Sequence, residues 1–211
     1  MGCDITLFCE GYLNGKWINI DRWHRQDRVA EYMVTDDEGF DYTDLIGGRR
    51  DYGLFYLLAG VRGNDEQETY PPIAKPRGLP GDMDHLIKKY YEKSYGIHFF
   101  QEETINFHGA SYLSLRELKE SGYGEVMPLK GWVDEADFAK HEKWMADGHK
   151  YQLHFIDVKC GKPERRDLVL KEWNGYLNLN LTGMIEQMEQ LKQERRIGSD
   201  DEIRIVFWFD N

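Results

Sequence analysis

Apolar and polar positions alternate from the start of the chain. Ile5, Leu7 and Cys9 interleave with Thr6, Phe8 and Glu10, which is the period of a β-strand. Asn14-Gly15 follows, a pair that tolerates positive φ at both positions and favours a tight hairpin. Trp17, Ile18 and Ile20 supply the return strand, and in that register Tyr12 faces Trp17. Residues 24–50 are polar, acidic and irregular, and end in Gly47-Gly48-Arg49-Arg50-Asp51-Tyr52.

The period then changes to that of helices. Leu54, Leu57 and Leu58 predict a short buried helix, with Asp51 as its N-cap and Gly60 past its end. A proline-rich ordered loop runs from Tyr70 to Pro80. Asp82 or Asp84 caps the next helix, which carries Leu86, Ile87, Tyr90 and Tyr91 on one side. Ser114-Leu115-Arg116-Glu117 has the form of a capping box, and Gly122 closes that helix. Asp134 to Asp147 predicts a helix with Phe138, His141, Trp144 and Met145 on one face. Tyr151 to Val158 and Asp167 to Trp173 read as strands. Thr182 is placed to cap a helix that Gly198 stops. The closing run Ile203-Arg204-Ile205-Val206-Phe207-Trp208-Phe209 is apolar enough to need cover on both sides, so it predicts a central strand.

Together these elements predict an α+β fold: a mixed, mostly antiparallel sheet, with the N-terminal hairpin beside the C-terminal strand and helices packed on it. No repeat, low-complexity tract or flexible linker interrupts the 211 residues, so residues 1–211 read as a single domain.

Composition narrows the function classes. A formal net charge of −11 opposes broad, non-specific nucleic-acid binding, because such a chain repels phosphate backbones. The three cysteines, Cys3, Cys9 and Cys160, are odd in number and lack CxxC spacing, which suits a reducing cytoplasm better than a disulfide scaffold. No apolar run approaches the roughly 18 residues of a membrane span, and the N-terminus lacks a signal-peptide apolar region. Met1-Gly2-Cys3-Asp4-Ile5-Thr6 fits a loose acylation pattern, but a core strand starting at Asp4 cannot also be a free anchor.

The seven histidines form no close ligand pair, so no metal site and no cofactor are expected. No nucleophile elbow or triad context surrounds a Ser or Cys. Arg49, Arg50, Arg62, Lys75 and Arg77 fall in a short stretch of this acidic chain, on turns around one helix. Guanidinium forks and backbone N–H groups on turns can converge on one anion, and Tyr52, Tyr56 and Tyr70 could stack on a base. The opposing reading pairs these arginines with nearby Asp51, Asp65 and Asp82.

Several of these segments resemble a family of uncharacterised bacteriophage and bacterial proteins. Its members open Met-Gly-Cys-Asp-Ile-His and end Phe-Trp-Phe-Asp-Asn; this chain has Met1 to Ile5 and Phe207 to Asn211 in those places. Arg50-Asp51-Tyr52, Leu58 to Arg62, Pro76 to Pro80 and His108 to Leu118 also match. Thr6 stands where the family has His, and residues from about 125 to 181 carry no matching motif. The resemblance implies a phage-type origin and brings no activity.

Three functions follow as expectations. The first is a phage-type cytosolic binding protein for a small anionic, nucleotide-like ligand, such as a host-defence signal to be sequestered, held by Arg49, Arg50, Tyr52, Arg62 and Arg77. Its aromatic content and central strand leave room for a homo-oligomer. The second is a hydrolase of a phosphorylated or nucleotide substrate using Asp4, His108 and Asp210, if the terminal strands bring them together. The third is an acidic protein-interaction module.

Overall fold

The structure, a computed structural model, describes residues 2–20, 23–25, 40–42, 50–62, 69–99, 108–161, 163–164 and 167–210. Along the chain run β1 (Asp4–Leu13), β2 (Lys16–Asn19), β3 (Trp23–Arg25), β4 (Phe40–Tyr42), α1 (Tyr52–Ala59), α2 (His85–Phe99), β5 (His108–Ser114), α3 (Leu115–Glu120), β6 (Val126–Asp134), α4 (Glu135–Ala146), β7 (Ile156–Asp157), β8 (Leu168–Tyr176), α5 (Leu179–Glu194) and β9 (Ile203–Asp210). The protein is α+β as its patterning predicts, and every described strand pairing is antiparallel.

The chain divides into two compact units. One comprises Met1–Arg50, Lys75–Arg116 and Glu186–Asn211; the other comprises Asp51–Ala74 and Glu117–Ile185. The backbone passes between the two sets at several points, so no single linker marks the division in the sequence.

The first unit contains a four-stranded sheet in the order β2-β1-β9-β5. The N-terminal hairpin forms as predicted. Asn14 and Gly15 take φ of 53° and 82°, the turn that matches strand twist, and Tyr12 lies opposite Trp17. The C-terminal strand β9 is central, and Ile203 to Phe209 are all buried. Residues opposite each other share a face of the sheet. Phe8 and Trp208 lie on one face and pack with Ile87, Tyr90 and Tyr91 of α2, the ring centroids of Tyr91 and Trp208 being 5.1 Å apart. Each such large side chain, once buried, contributes about 1.5–3 kcal/mol. Asp84, not Asp82, caps α2: its Oδ1 accepts from the Leu86 N–H at 2.7 Å.

A charged network is buried on the same face. Arg204 and Glu10 are paired in register, and the Arg204 Nε donates to Glu10 Oε2 at 2.7 Å. Glu10 Oε1 accepts from the Asp84 N–H at 2.6 Å, and Arg204 Nη2 donates to Asp82 at 2.9 Å. The guanidinium lies 3.8 Å over the Trp17 ring. Burial pushes the Glu10 carboxyl up, while the Asp84 N–H and the Arg204 charge pull it down.

The second unit contains the sheet β7-β6-β8. Its core gathers Leu129, Val133, Phe138, Leu153 and Trp173. α1 has the predicted caps: Asp51 accepts from the Leu54 N–H, and Gly60 takes φ 72°. Asp134 likewise caps α4 through Ala136 and Asp137.

Three expectations are corrected here, and one strand that the patterning does not mark is added. Trp144 on α4 is half exposed and stacks beside His149 and Tyr151 rather than pointing inward. The strand expected over 151–158 pairs only at Ile156 and Asp157. β6 carries no clear signal in the sequence because Pro128 and Gly131 interrupt it. Pro128 is tolerated because β7 pairs only with Gly131 and Trp132, so among the described residues no strand pairs with β6 on that side at position 128. Finally, α5 begins at Leu179 with Asn178 as its cap, Asn178 Oδ1 accepting from the Leu181 N–H at 2.8 Å. Thr182 lies inside the helix and donates to the Asn178 and Gly124 carbonyls.

Candidate functional site

The residues expected to bind an anion are distributed as follows. Arg49 lies outside the described residues. Arg50 grips Asp4 with both arms, Nε to Oδ1 at 2.5 Å and Nη2 to Oδ2 at 2.9 Å. Gly2 makes room for this, since a Cβ there would collide with the guanidinium. Arg77 donates through Nε and Nη2 to the Tyr112 carbonyl and stacks 4.4 Å over the Tyr112 ring. Lys75 is exposed. Tyr52 and Arg62 belong to the other unit, with the guanidinium 6.0 Å from an exposed ring. Arg50 thus meets an acid 46 residues away in the sequence, and Arg77 meets a backbone carbonyl; Asp65 lies outside the described residues.

Asp4, His108 and Asp210 come to one end of the first unit's sheet. Asp4 is opposite Asp210, so their side chains share a face. His108 is opposite Phe209 on the other face, its ring 5.9 Å from the phenyl centroid. The register slips between His108 and Ser111, where Gly109 takes φ 62°. The hydrogen bond from Arg50 holds the Asp4 carboxyl below the usual range, which suits an ion pair and not a proton donor.

A cavity of about 460 Å³ lies within the second unit, and no motif in the sequence marks it. Its walls come from the start of α1 (Asp51, Gly53, Tyr56, Leu57), from Tyr70, from Gln152, His154, Phe155, Ile156, Asp157 and Cys160, and from Leu177 and Asn178 ahead of α5. Of the three tyrosines considered for base stacking, Tyr56 and Tyr70 line it. The described lining residues include two carboxylates and no Lys or Arg.

Most polar atoms of the wall are committed to the fold. Asp51 Oδ1 caps α1, and its Oδ2 accepts from Asn178 Nδ2 at 3.0 Å and Asn180 Nδ2 at 2.6 Å. Gln152 Oε1 accepts from the Leu179 N–H at 2.9 Å. These bonds join the starts of α1 and α5 and make the polar wall rigid.

Asp157 is different. Its Oδ1 accepts from Thr69 Oγ1 at 3.1 Å and from the Lys159 N–H at 2.9 Å, capping a single 3₁₀ turn over Val158–Cys160. Its Oδ2 is buried and has no hydrogen-bond partner among the described residues, and the side chain is 8% exposed. Burial pushes the neighbouring Tyr70 hydroxyl up, and the Asp157 charge adds to the effect. A buried carboxylate oxygen without a donor carries a desolvation cost of about 1–3 kcal/mol or more. The atom is closed to solvent, so it lies beneath the wall rather than on it.

Among the described residues, no group of three or more His, Cys, Asp or Glu is placed to hold a metal ion. No helix among them is long and apolar enough to cross a membrane. Compared with protein-family models, curated proteins and solved structures, the chain matches none.

Proposed function

We propose that this protein binds a small molecule in the cavity formed by Asp51–Ala74 and Glu117–Ile185. The observation that carries this reading is the concave site of about 460 Å³ lined by Tyr56, Tyr70 and Phe155 within one unit. Tyr56, Tyr70 and Phe155 provide flat apolar surface for a planar body, as a nucleobase-like ligand would use. Against an anionic ligand stand Asp51 and Asp157 in this wall, while His154 is a lining residue able to carry positive charge. Arg50 and Arg77 are tied into the other unit by Asp4 and Tyr112.

The test is to titrate the purified protein with a panel of nucleosides, nucleotides and aromatic amines, following its thermal midpoint. A cavity-filling Cys160→Trp variant is run in parallel. Saturable stabilisation by a panel member that disappears in Cys160→Trp supports the reading. Stabilisation that survives the filled cavity places binding elsewhere and overturns it, and so does a panel with no effect on the wild type.

A further inference from the structure

A groove of about 300 Å³ opens elsewhere in the same unit and shares no lining residue with the larger cavity. Pro71, Pro72 and Ile73 form one wall; Glu117 and Glu120 of α3, with Ser121 and Tyr123 just past it, form the other. Both walls are stiff. Consecutive prolines restrict φ, and the Ile73 N–H donates to the Leu57 carbonyl at 2.8 Å, which ties the segment to α1. The Tyr123 hydroxyl donates to the Pro71 carbonyl at 3.0 Å and joins one wall to the other.

The Ser121 hydroxyl is also committed: it donates to the Leu118 carbonyl and accepts from the Tyr123 N–H. The charge of the groove is therefore that of its two carboxylates. Glu117 is half-buried and Glu120 is exposed, and no described Lys, Arg or His lines the groove with them. No ion pair engages Glu120 among the described residues. Apolar walls beside an acidic rim match a long basic side chain, which buries its aliphatic stem and keeps its charged end at the water. A tyrosine ring adds to the preference, since aromatic faces attract cations. The volume is at the low end of the roughly 300–1,000 Å³ of small-molecule pockets, so it suits one side chain better than a whole ligand. The net charge of −11 draws basic surfaces toward the molecule.

We propose that this groove docks an arginine or lysine side chain presented by a basic partner protein, the stem lying on Pro71, Pro72 and Ile73 and the cation at Glu120, with Glu117 beside it. The walls are held in place before the partner arrives, which keeps the ordering cost low. One side chain makes a weak contact by itself, and the charge of the whole molecule speeds the encounter. An acidic or neutral side chain of the same length gains the apolar wall and forfeits the rim.

The test uses blocked pentapeptides that differ only in a central arginine, citrulline or glutamate, titrated into the full-length protein and followed by the backbone amide NMR signals of Ile73, Ser121 and Tyr123. The arginine peptide is expected to move these signals saturably at millimolar concentration, and less so in high salt. Citrulline keeps the stem and loses the charge, so its peptide is expected to bind at least about threefold more weakly, and the glutamate peptide not at all. Glu120→Lys, at an exposed position, is expected to weaken the arginine peptide about tenfold or more. The proposal is overturned if citrulline equals arginine, if Glu120→Lys leaves the affinity unchanged, if the signals that move lie outside the groove, or if none moves. Should Glu120→Lys fold poorly, the comparison of arginine with citrulline on the wild type decides alone.

Discussion

Two buried carboxylates, Glu10 in one unit and Asp157 in the other, have opposite surroundings. Glu10 has no exposed surface and both of its oxygens are matched, one by the Arg204 guanidinium and one by the Asp84 N–H. Asp157 is nearly as buried and has one oxygen matched and one not. The partner of Glu10 is guaranteed by strand register, since Arg204 is the residue directly opposite it. Asp157 lies at the end of a two-residue strand where the ladder stops and no opposing side chain is supplied. The difference teaches that buried charge by itself says little. A charge answered from within is architecture, and a charge left half answered carries a standing desolvation cost.

The largest expected effect breaks the architectural half. Arg204→Met leaves Glu10 buried without its cation and removes the stack on Trp17. A loss of about 3–5 kcal/mol in unfolding free energy is expected, read from the urea midpoint. The double variant Glu10→Leu, Arg204→Met is expected to recover much of it, since apolar side chains can replace a buried pair at little cost. A single variant that loses under about 1 kcal/mol would show that water reaches Glu10 and that the contrast with Asp157 is false.

The next effect concerns a third buried polar group. His141 is 3% exposed, neither ring nitrogen has a partner among the described residues, and the rings of Phe138, Tyr151 and Trp173 surround it. Burial pushes its pKa below the usual histidine value. The folded state therefore prefers the neutral ring. Stability is complete above the unfolded-state pKa of about 6.5 and falls as the pH drops below it. His141→Phe is expected to flatten that fall and to raise stability by about 1 kcal/mol at neutral pH. Denaturation midpoints of both proteins across the acid range check this; parallel curves would mean that His141 does not titrate on unfolding.

Asp157→Asn is expected to be smaller still, within about 1 kcal/mol of the wild type in the absence of ligand. The amide keeps an acceptor for Thr69 and Lys159 and removes an uncompensated charge. Equal midpoints sharpen the contrast with Arg204→Met. A loss of several kcal/mol would make Asp157 structural.

The sequence exposed what depends on neighbours in the chain. Asn14-Gly15 set the hairpin and its register, Asp51 and Gly60 bounded α1, and Asp134 began α4, because turns and caps are local chemistry. The apolar run of β9 located the centre of its sheet. Long-range pairing was not visible. Arg50 meets Asp4 from the far end of the sequence, and Asp82 meets Arg204 122 residues away. β6 was concealed by Pro128 and Gly131, the latter needed because Phe155 and the Ile156 carbonyl crowd its Cα. The cavity draws on four separated segments, so the only trace of it in the sequence was the tyrosine-rich stretch that includes Tyr56 and Tyr70.

The smallest effect isolates burial from charge. Asp4 and Glu10 lie on the same strand and the same face, and each is gripped by an arginine. The Asp4–Arg50 side chains are 54% and 55% exposed, against 0% and 7% for Glu10–Arg204. Water screens the exposed pair, so Arg50→Ala is expected to cost no more than about 1 kcal/mol, and less in high salt. Arg50 lowers the Asp4 pKa through its hydrogen bond, so the pair contributes above the unfolded carboxylate pKa and fades as pH falls through the folded one. Following the Asp4 carboxyl by NMR titration, Arg50→Ala is expected to move its midpoint up toward the ordinary value. An unmoved midpoint would mean that the two groups do not interact in solution. A cost matching Arg204→Met would mean that position on the sheet, and not burial, decides what an ion pair contributes.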